Sequence, residues 1–310
     1  MKKVAKWLGI VVAMVLGLGL AGYGWAHAKT SSVLQERFTA HSIDFPVPYP
    51  AADGSVSLDA AIARGKHLVE ARYVCVNCHG YNFAGGTMID DPMIGTLLGP
   101  NLTGGQGGKV SGYRIADWDL AVRHGILPDG RASAMPSQDF KKMTDQELSD
   151  IIAYVRSLPK VDRVVPGLKL GPLGKVLIAT GKLELSVRQI RDHHAMHADR
   201  APQTEPTVVF GQHVAQVCVG CHRVDFAGGP IPGAPPGWAP AANLTPHAEG
   251  VKGWTYEQFL TAMREGRRPN GTPVKAPMNE MLPYTKAMTD VELKAMWLYL
   301  SGVSAKPTGT

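Results

Sequence analysis

The chain has 310 residues, 45% apolar and 19% charged, with four cysteines. That is enough apolar material for real cores, which excludes a disordered or fibrous chain, and too few cysteines for a disulfide-dense scaffold. Lys and Arg total 32 against 26 Asp and Glu, and three of the basic residues (Lys2, Lys3, Lys6) open the chain, so the body is nearly balanced and gives no footing for nucleic acid.

The first element is an uncharged apolar run over residues 7–26. Twenty residues at 1.5 Å each can cross a bilayer core of ~30 Å, and the lysines ahead of it favour a cytoplasmic N-terminus. Two outcomes compete for residues 1–28. An uncleaved anchor fits the length of the run, and a signal peptide fits the small-residue site Ala26-His27-Ala28. Either way the body is exported. In the first case it sits in the periplasm on a single span of the bacterial inner membrane, and in the second it is a soluble periplasmic protein. An extended lead-in is expected over residues 29–54.

All four cysteines fall in two identical motifs, Cys75-Val76-Asn77-Cys78-His79 and Cys218-Val219-Gly220-Cys221-His222. C-x-x-C-H is the signature of covalent haem attachment. Two thiols on adjacent turns form thioethers to the vinyl groups of one haem, and the next histidine lies under the iron as an axial ligand. A thioredoxin-like redox pair would need a βαβ context, and a single zinc site would have to join pairs 143 residues apart. A disulfide is chemically open to an exported chain.

The 143-residue offset is an internal repeat. Asn101-Leu102-Thr103 returns as Asn243-Leu244-Thr245, the Phe-Ala-Gly-Gly of 83–86 at 226–229, and the Met-Thr-Asp-x-Glu-Leu of 143–148 at 288–293. A period this long means two similar domains. These are expected at 55–163 and 207–304, with a linker over 164–206 and a short tail over 305–310. Each repeat opens with a helix into its cysteines: Leu58, Ala61, Ile62, Leu68 and Val69 in the first, Val209, Phe210, His213, Val214 and Val217 in the second. Gly65 and Gly211 lie in these helices, where a missing side chain permits a close crossing. A short middle helix is expected over 115–123 and 256–264. Each closing helix starts with a capping box, Thr144/Glu147 and Thr289/Glu292. No strong strand alternation appears. The fold class is therefore all-α, two tandem helical domains behind one apolar helix.

The second axial position of each iron calls for a soft or nitrogenous donor. Met135 follows His79 by 56 residues and Met278 follows His222 by 56, each beyond a Gly-containing turn. Met281 is the alternative in the second repeat, since Pro283 follows it closely and Asn279 stands after Met278 in place of proline. Met143 and Met288 read as packing residues. His193, His194 and His197 form a metal-like cluster, but read as a solvated linker face because metal sites need a rigid shell. His67 and His213 read as surface or packing residues, and His124 as a turn residue or a haem-edge contact. The apolar part of 173–183 is expected to pack on the protein or to rest on the membrane surface.

On both C-x-x-C-H motifs, Gly-Pro-Asn-Leu at 99–102, Met135-Pro136 and the Thr-Asp-x-Glu-Leu helices, the sequence resembles the class I cytochrome c superfamily, and more closely the exported diheme cytochromes with tandem domains. The resemblance covers about 55–160 and 207–302. It implies a small helical bundle around each haem, with a backbone carbonyl holding the free nitrogen of the iron-ligating histidine. By position that carbonyl is Pro100, ahead of Asn101. In the second repeat Ala242 takes the place, ahead of Asn243. The leading expectation is a carrier of two covalent haem c groups that passes single electrons between redox partner proteins, with residues 83–86 and 230–236 presenting haem edges. One alternative is the electron-transfer subunit of a membrane dehydrogenase or oxidase, part of a larger respiratory complex. The other is a diheme peroxidase-like or thiosulfate-oxidising enzyme, which would need a displaceable ligand and acid–base residues.

Overall fold

A computed structural model describes residues 2–231, 234 and 237–309. The N-terminal run forms α1 (Lys2–Gln35), roughly 50 Å long at 1.5 Å per residue and apolar enough to cross a membrane. Its surface is exposed except at its far end, where Ala26 and Thr30 are buried and Val33 and Leu34 half-buried. The helix continues to Gln35, through residues where an extended lead-in was expected.

In the first repeat α2 (Leu58–His67) is capped by the Ser57 hydroxyl and winds out through a π-helical turn at Leu68–Arg72 into α3 (Cys75–His79). Ala61, Leu68 and Val69 are buried as the pattern required, while Leu58 is exposed. A hairpin follows, β1 (Gly86–Asp91) and β2 (Gly95–Gly99), and β3 (Lys169–Leu170) pairs antiparallel with β2 to complete a three-stranded sheet in the order β1-β2-β3. The protein is mostly helical, as the all-α reading expects, and this small sheet is a minor addition to it. Its outer strand is solvent-exposed at five of six positions, so it lacks the alternation that marks a half-buried strand. Its turn is built by the Asp91 carboxylate, which accepts from Met93 N and Ile94 N at 2.7 Å each. The middle helix α4 (Ile115–Asp119) runs on as a π-helical turn over Leu120–His124, and α5 (Asp145–Ser157) closes the domain.

The linker is ordered on the protein. Its helix α6 (Pro172–Ala179) packs against the outer end of α1, with the Thr30 hydroxyl donating to Lys175 O at 2.8 Å and Lys175 Nζ over the Tyr23 ring. The short α7 (Ser186–Gln189) lies against the first domain, where Ser186 Oγ donates to Met135 O and accepts from Ser137 N.

The second repeat gives α8 (Val208–Val214), α9 (Val219–His222), α10 (Tyr256–Glu265), α11 (Leu282–Ala287) and α12 (Asp290–Leu300). Opening and closing helices cross at the two glycines. A Cβ on Gly65 would lie 2.0 Å from Asp150 O, and one on Gly211 1.9 Å from Ala295 O. Both closing helices carry their capping boxes.

Those capping carboxylates also join the domains. His67 of the first domain bonds Glu292 of the second at 2.9 Å, and His213 of the second bonds Glu147 of the first at 2.8 Å. Arg72 lies between them, donating to Glu147 at 2.6 Å and to Glu292 at 2.7 Å. Burial alone would raise both carboxyls, but His213 and Arg72 hold Glu147 at about 2, and His67 and Arg72 hold Glu292 at about 2.

Candidate functional site

Each C-x-x-C-H segment is a single helical turn. In both repeats the histidine is buried and its Nδ1 meets a backbone carbonyl: His79 with Pro100 O at 3.1 Å, His222 with Ala242 O at 2.7 Å. A carbonyl can only accept, so Nδ1 carries the proton and Nε2 presents its lone pair. Burial pulls both imidazoles below the usual histidine value, and the carbonyls oppose this only in part. Two neutral rings of fixed tautomer result.

The carbonyls are held by the residues that follow them. Asn101 Nδ2 donates to Val161 O and Arg163 O, while its Oδ1 accepts from the Thr103 backbone and hydroxyl. Asn243 repeats the arrangement with Lys306 O and Thr245. The Asn-Leu-Thr repeat thus ties the histidine loop to the chain beyond each closing helix. The expected tail is part of this structure.

No disulfide joins any of the four cysteines. Cys75 and Cys218 keep some exposed surface, yet burial of their sulfurs pushes both thiols up to about 12. Such thiols make poor redox nucleophiles, which speaks against the thioredoxin-like reading. Two thiols, a bare imidazole nitrogen and an apolar wall are the donor set a covalent haem requires. In the first domain the buried Trp118 Nε1 has no partner, and its side chain lines an open cleft of about 310 Å³ with Leu102, Val110 and Val155 and with the polar Thr103, Ser111, Arg156 and Lys160. The residues present fit the group.

Met135 is half-buried in a loop fastened by its backbone, its N–H on Ser133 Oγ and its carbonyl on Ser137 N and Ser186 Oγ. Met278 opens a 3-10 turn (Met278–Met281) and packs against the second core, and the half-buried Met281 ends that turn. Met143 and Met288 lie in the cores.

Residues 83–85 do not form an exposed edge. Phe83 and Ala84 are buried, with the Phe83 ring parallel to His79 at 6.2 Å, and Phe226 and Ala227 are buried likewise. Phe83 and Phe226 both hold a left-handed backbone, φ 55° and 61°, a conformation that costs about 1–2 kcal/mol outside glycine. The expected edge at 230–236 lies largely outside the described residues.

The C-x-x-C turns meet the opposite domain. Asn77, between Cys75 and Cys78, accepts from Tyr284 OH at 3.0 Å. Gly220, between Cys218 and Cys221, lies against Asp139, whose oxygens are 2.8–2.9 Å from where a glycine Cβ would stand. Tyr284 and Asp139 each follow their own domain's methionine segment. Sequence reasoning missed this reciprocity, together with the roles of His67, His213 and Arg72, because the partners lie far apart in the chain.

The histidine cluster also departs from expectation. His193 and His197 are not a solvated face: they contact the buried His124, at 3.1 Å and 3.2 Å, and only His194 points to solvent. Segment 186–199 is drawn onto the first domain by Asp145 N on Ala198 O and His41 N on His193 O, at 3.0 and 3.1 Å.

A family model described as cytochrome c matches residues 62–159 and 208–304, well over half of the chain. Among curated proteins, the cytochrome c subunit of a quinone-type alcohol dehydrogenase from Gluconacetobacter polyoxogenes is 26% identical over 283 residues, covering 80% of this chain and 57% of its own length. The fructose dehydrogenase cytochrome subunit of Gluconobacter japonicus is 26% identical over 267 residues, 79% of this chain and 53% of its own. A diheme cytochrome c-type protein of Cereibacter sphaeroides is 24% identical over 227 residues, 68% and 73%. The chain spans a little over half the length of the first two relatives.

Proposed function

The chain belongs to the cytochrome c family, and from that premise we propose that it is the electron-transfer subunit of a membrane dehydrogenase, held by α1 with both haem domains in the periplasm. It carries two haem c groups, one per repeat, and its activity is electron transfer. When bound, each haem supplies a one-electron couple whose potential depends on its axial ligands and surroundings. Cys75 and Cys78 fix the first, Cys218 and Cys221 the second. His79 and His222 offer Nε2 because Pro100 O and Ala242 O hold their other nitrogen. Met135 and Met278 complete the two coordination spheres, with Met278 preferred to Met281 because it packs on the core.

The observation that carries this reading is the reciprocal contact of the two C-x-x-C turns with the opposite domain, Asn77 with Tyr284 and Gly220 with Asp139. It brings the attachment turns of both repeats to a shared junction, where groups held by Cys75 and Cys78 and by Cys218 and Cys221 would be placed for electron passage from one to the other. The test is a redox titration with ligand spectroscopy at each step. Two methionine-ligated steps are expected, and Met135→Ala is expected to abolish one and leave the other. Persistence of both would exclude Met135 as a ligand.

Retention of the anchor is supported by the packing of α1. The sequence's small-residue cleavage site falls inside a continuous helix, and Ala26 and Thr30 there are buried against α6. N-terminal sequencing of the native protein tests it. The dehydrogenase partner is suggested by the relatives' names, and co-purification of a catalytic subunit after mild detergent extraction is the expected result.

A further inference from the structure

The first domain contains a polar cluster that electron transfer does not use. Asp119 ends α4, His124 ends the turn after it, and His193 and His197 come from the linker. Among the described residues, Asp119, His124 and His197 alone form a group whose ligand atoms all lie within 4.8 Å of one another. We propose that these three residues bind a divalent transition-metal ion of the zinc class, which clips the linker onto the first domain.

The ring protons are placed by their acceptors. His193 Nε2 lies 2.8 Å from Val187 O, which can only accept, so His193 Nε2 carries the hydrogen. In the neutral ring His193 Nδ1 is then bare and accepts from His124 Nδ1 at 3.1 Å. That fixes His124 as the tautomer with a bare Nε2, and this nitrogen faces His197 Nε2 at 3.2 Å. A metal-ligating histidine is built in this way, with its distal N–H given to an acceptor that sets the tautomer. The bare His124 nitrogen therefore meets His197 Nε2, and Asp119 Oδ1 lies 3.9 Å from that same atom.

The spacing of the two imidazoles suits an ion, with Asp119 standing slightly farther off. Two ligands held about 2.0–2.1 Å from a tetrahedral zinc are about 3.3–3.4 Å apart. Imidazole with one carboxylate is a donor set for Zn, Cu or Ni rather than for Mg or Ca. Asp119 and Asp145 bring two negative charges against the single charge of Arg123, so the pocket is net negative before a cation enters.

His197 belongs to the segment that covers the Met135 loop through Ser186, so an ion would fasten that cover at a second point. The experiment uses the full-length protein with both haems attached, so its two irons serve as an internal count. After chelator treatment, titration with Zn2+ alone is expected to saturate at one zinc per two irons and to raise the melting midpoint. His197→Ala and, as a milder change, His197→Gln should weaken zinc binding at least 100-fold while the haem spectrum stays intact. His193→Gln, which removes only the tautomer-setting partner, should weaken it about 10–100-fold. His194→Ala, at the exposed histidine, should leave it unchanged. Failure of the parent protein to bind zinc would overturn the proposal, as would binding that survives His197→Gln or is lost with His194→Ala. The first result would mean that a shared proton, not an ion, joins the two Nε2 atoms.

Discussion

In the first domain the arginine of the middle helix, Arg123, is fully buried and paired to Asp119 at 2.7 Å and Asp145 at 2.6 Å. In the second, Arg264 stands at the same point and reaches Asp290 at 2.8 Å, but it is 26% exposed and its partner 85%. The repeat supplies the same arginine and the same capping-box aspartate in both. The difference is what covers them: in the first domain the Phe45 ring lies over Arg123, Ile43 N donates to Asp119 and His197 stands beside that carboxylate, and solvent meets the second's pair. One ion pair in two settings becomes an obligatory buried network in one domain and a surface contact in the other. Its energetic weight is therefore a property of the lead-in and linker that cover it, not of the repeat.

The junction between the domains offers the largest test, because there the two repeats stop being separate. Arg72 is the one guanidinium shared by Glu147 and Glu292, both buried. Arg72→Met would leave two carboxylates without it, and losing one partner of a buried pair costs about 3–5 kcal/mol. The expected outcome is a strongly lowered melting midpoint with separate transitions for the two domains, read by calorimetry. The same carboxylates set an acid limit. Their folded values of about 2 lie below the ordinary 4.5, so their stabilisation is complete above pH ~4.5 and is lost as pH falls toward 2. Acid unfolding should accordingly fall in that window, and Glu292→Gln should flatten its slope.

Next in size is the contrast between the two arginines. Arg123→Met strands the buried Asp119 and Asp145 and is expected to cost about 3–5 kcal/mol. Arg264→Met removes a solvent-screened pair and should cost no more than about 1 kcal/mol. Equal effects in thermal melts would mean that the lead-in and linker do not seal the first domain's pair from solvent.

Much of this organisation was legible in the residues. The two C-x-x-C-H motifs, the capping boxes and the two crossing glycines are local patterns, and the structure has each as a local feature. What escaped is non-local. His67 and Glu292 are 225 residues apart, and nothing near either one marks the pairing. His193 and His197 sit in a polar stretch that reads as solvated until the fold brings His124 against them. The hairpin at 86–99 was hidden for another reason: strands with most side chains in solvent have no hydrophobic alternation to reveal them.

One predicted effect has the opposite sign. Four residues beyond Met135 stands Asp139, buried against Gly220, while four residues beyond Met278 the second domain has Leu282. Burial pushes the Asp139 carboxyl up to about 6, with Lys141 opposing only in part. A carboxyl whose folded value exceeds its unfolded 3.8 binds its proton more tightly in the folded state, so stability falls as pH rises from about 4 to about 6 and the cost is complete above that. Asp139→Asn keeps the shape and removes the charge. It is expected to stabilise the protein by about 1–3 kcal/mol at pH 7.5, since a tenfold change in proton affinity corresponds to about 1.4 kcal/mol, and to change nothing at pH 3.5. The measurement is the melting midpoint of the haem-loaded protein at both values. A gain confined to the higher pH identifies the first domain's carboxylate as a cost that the second domain, with its leucine, does not carry.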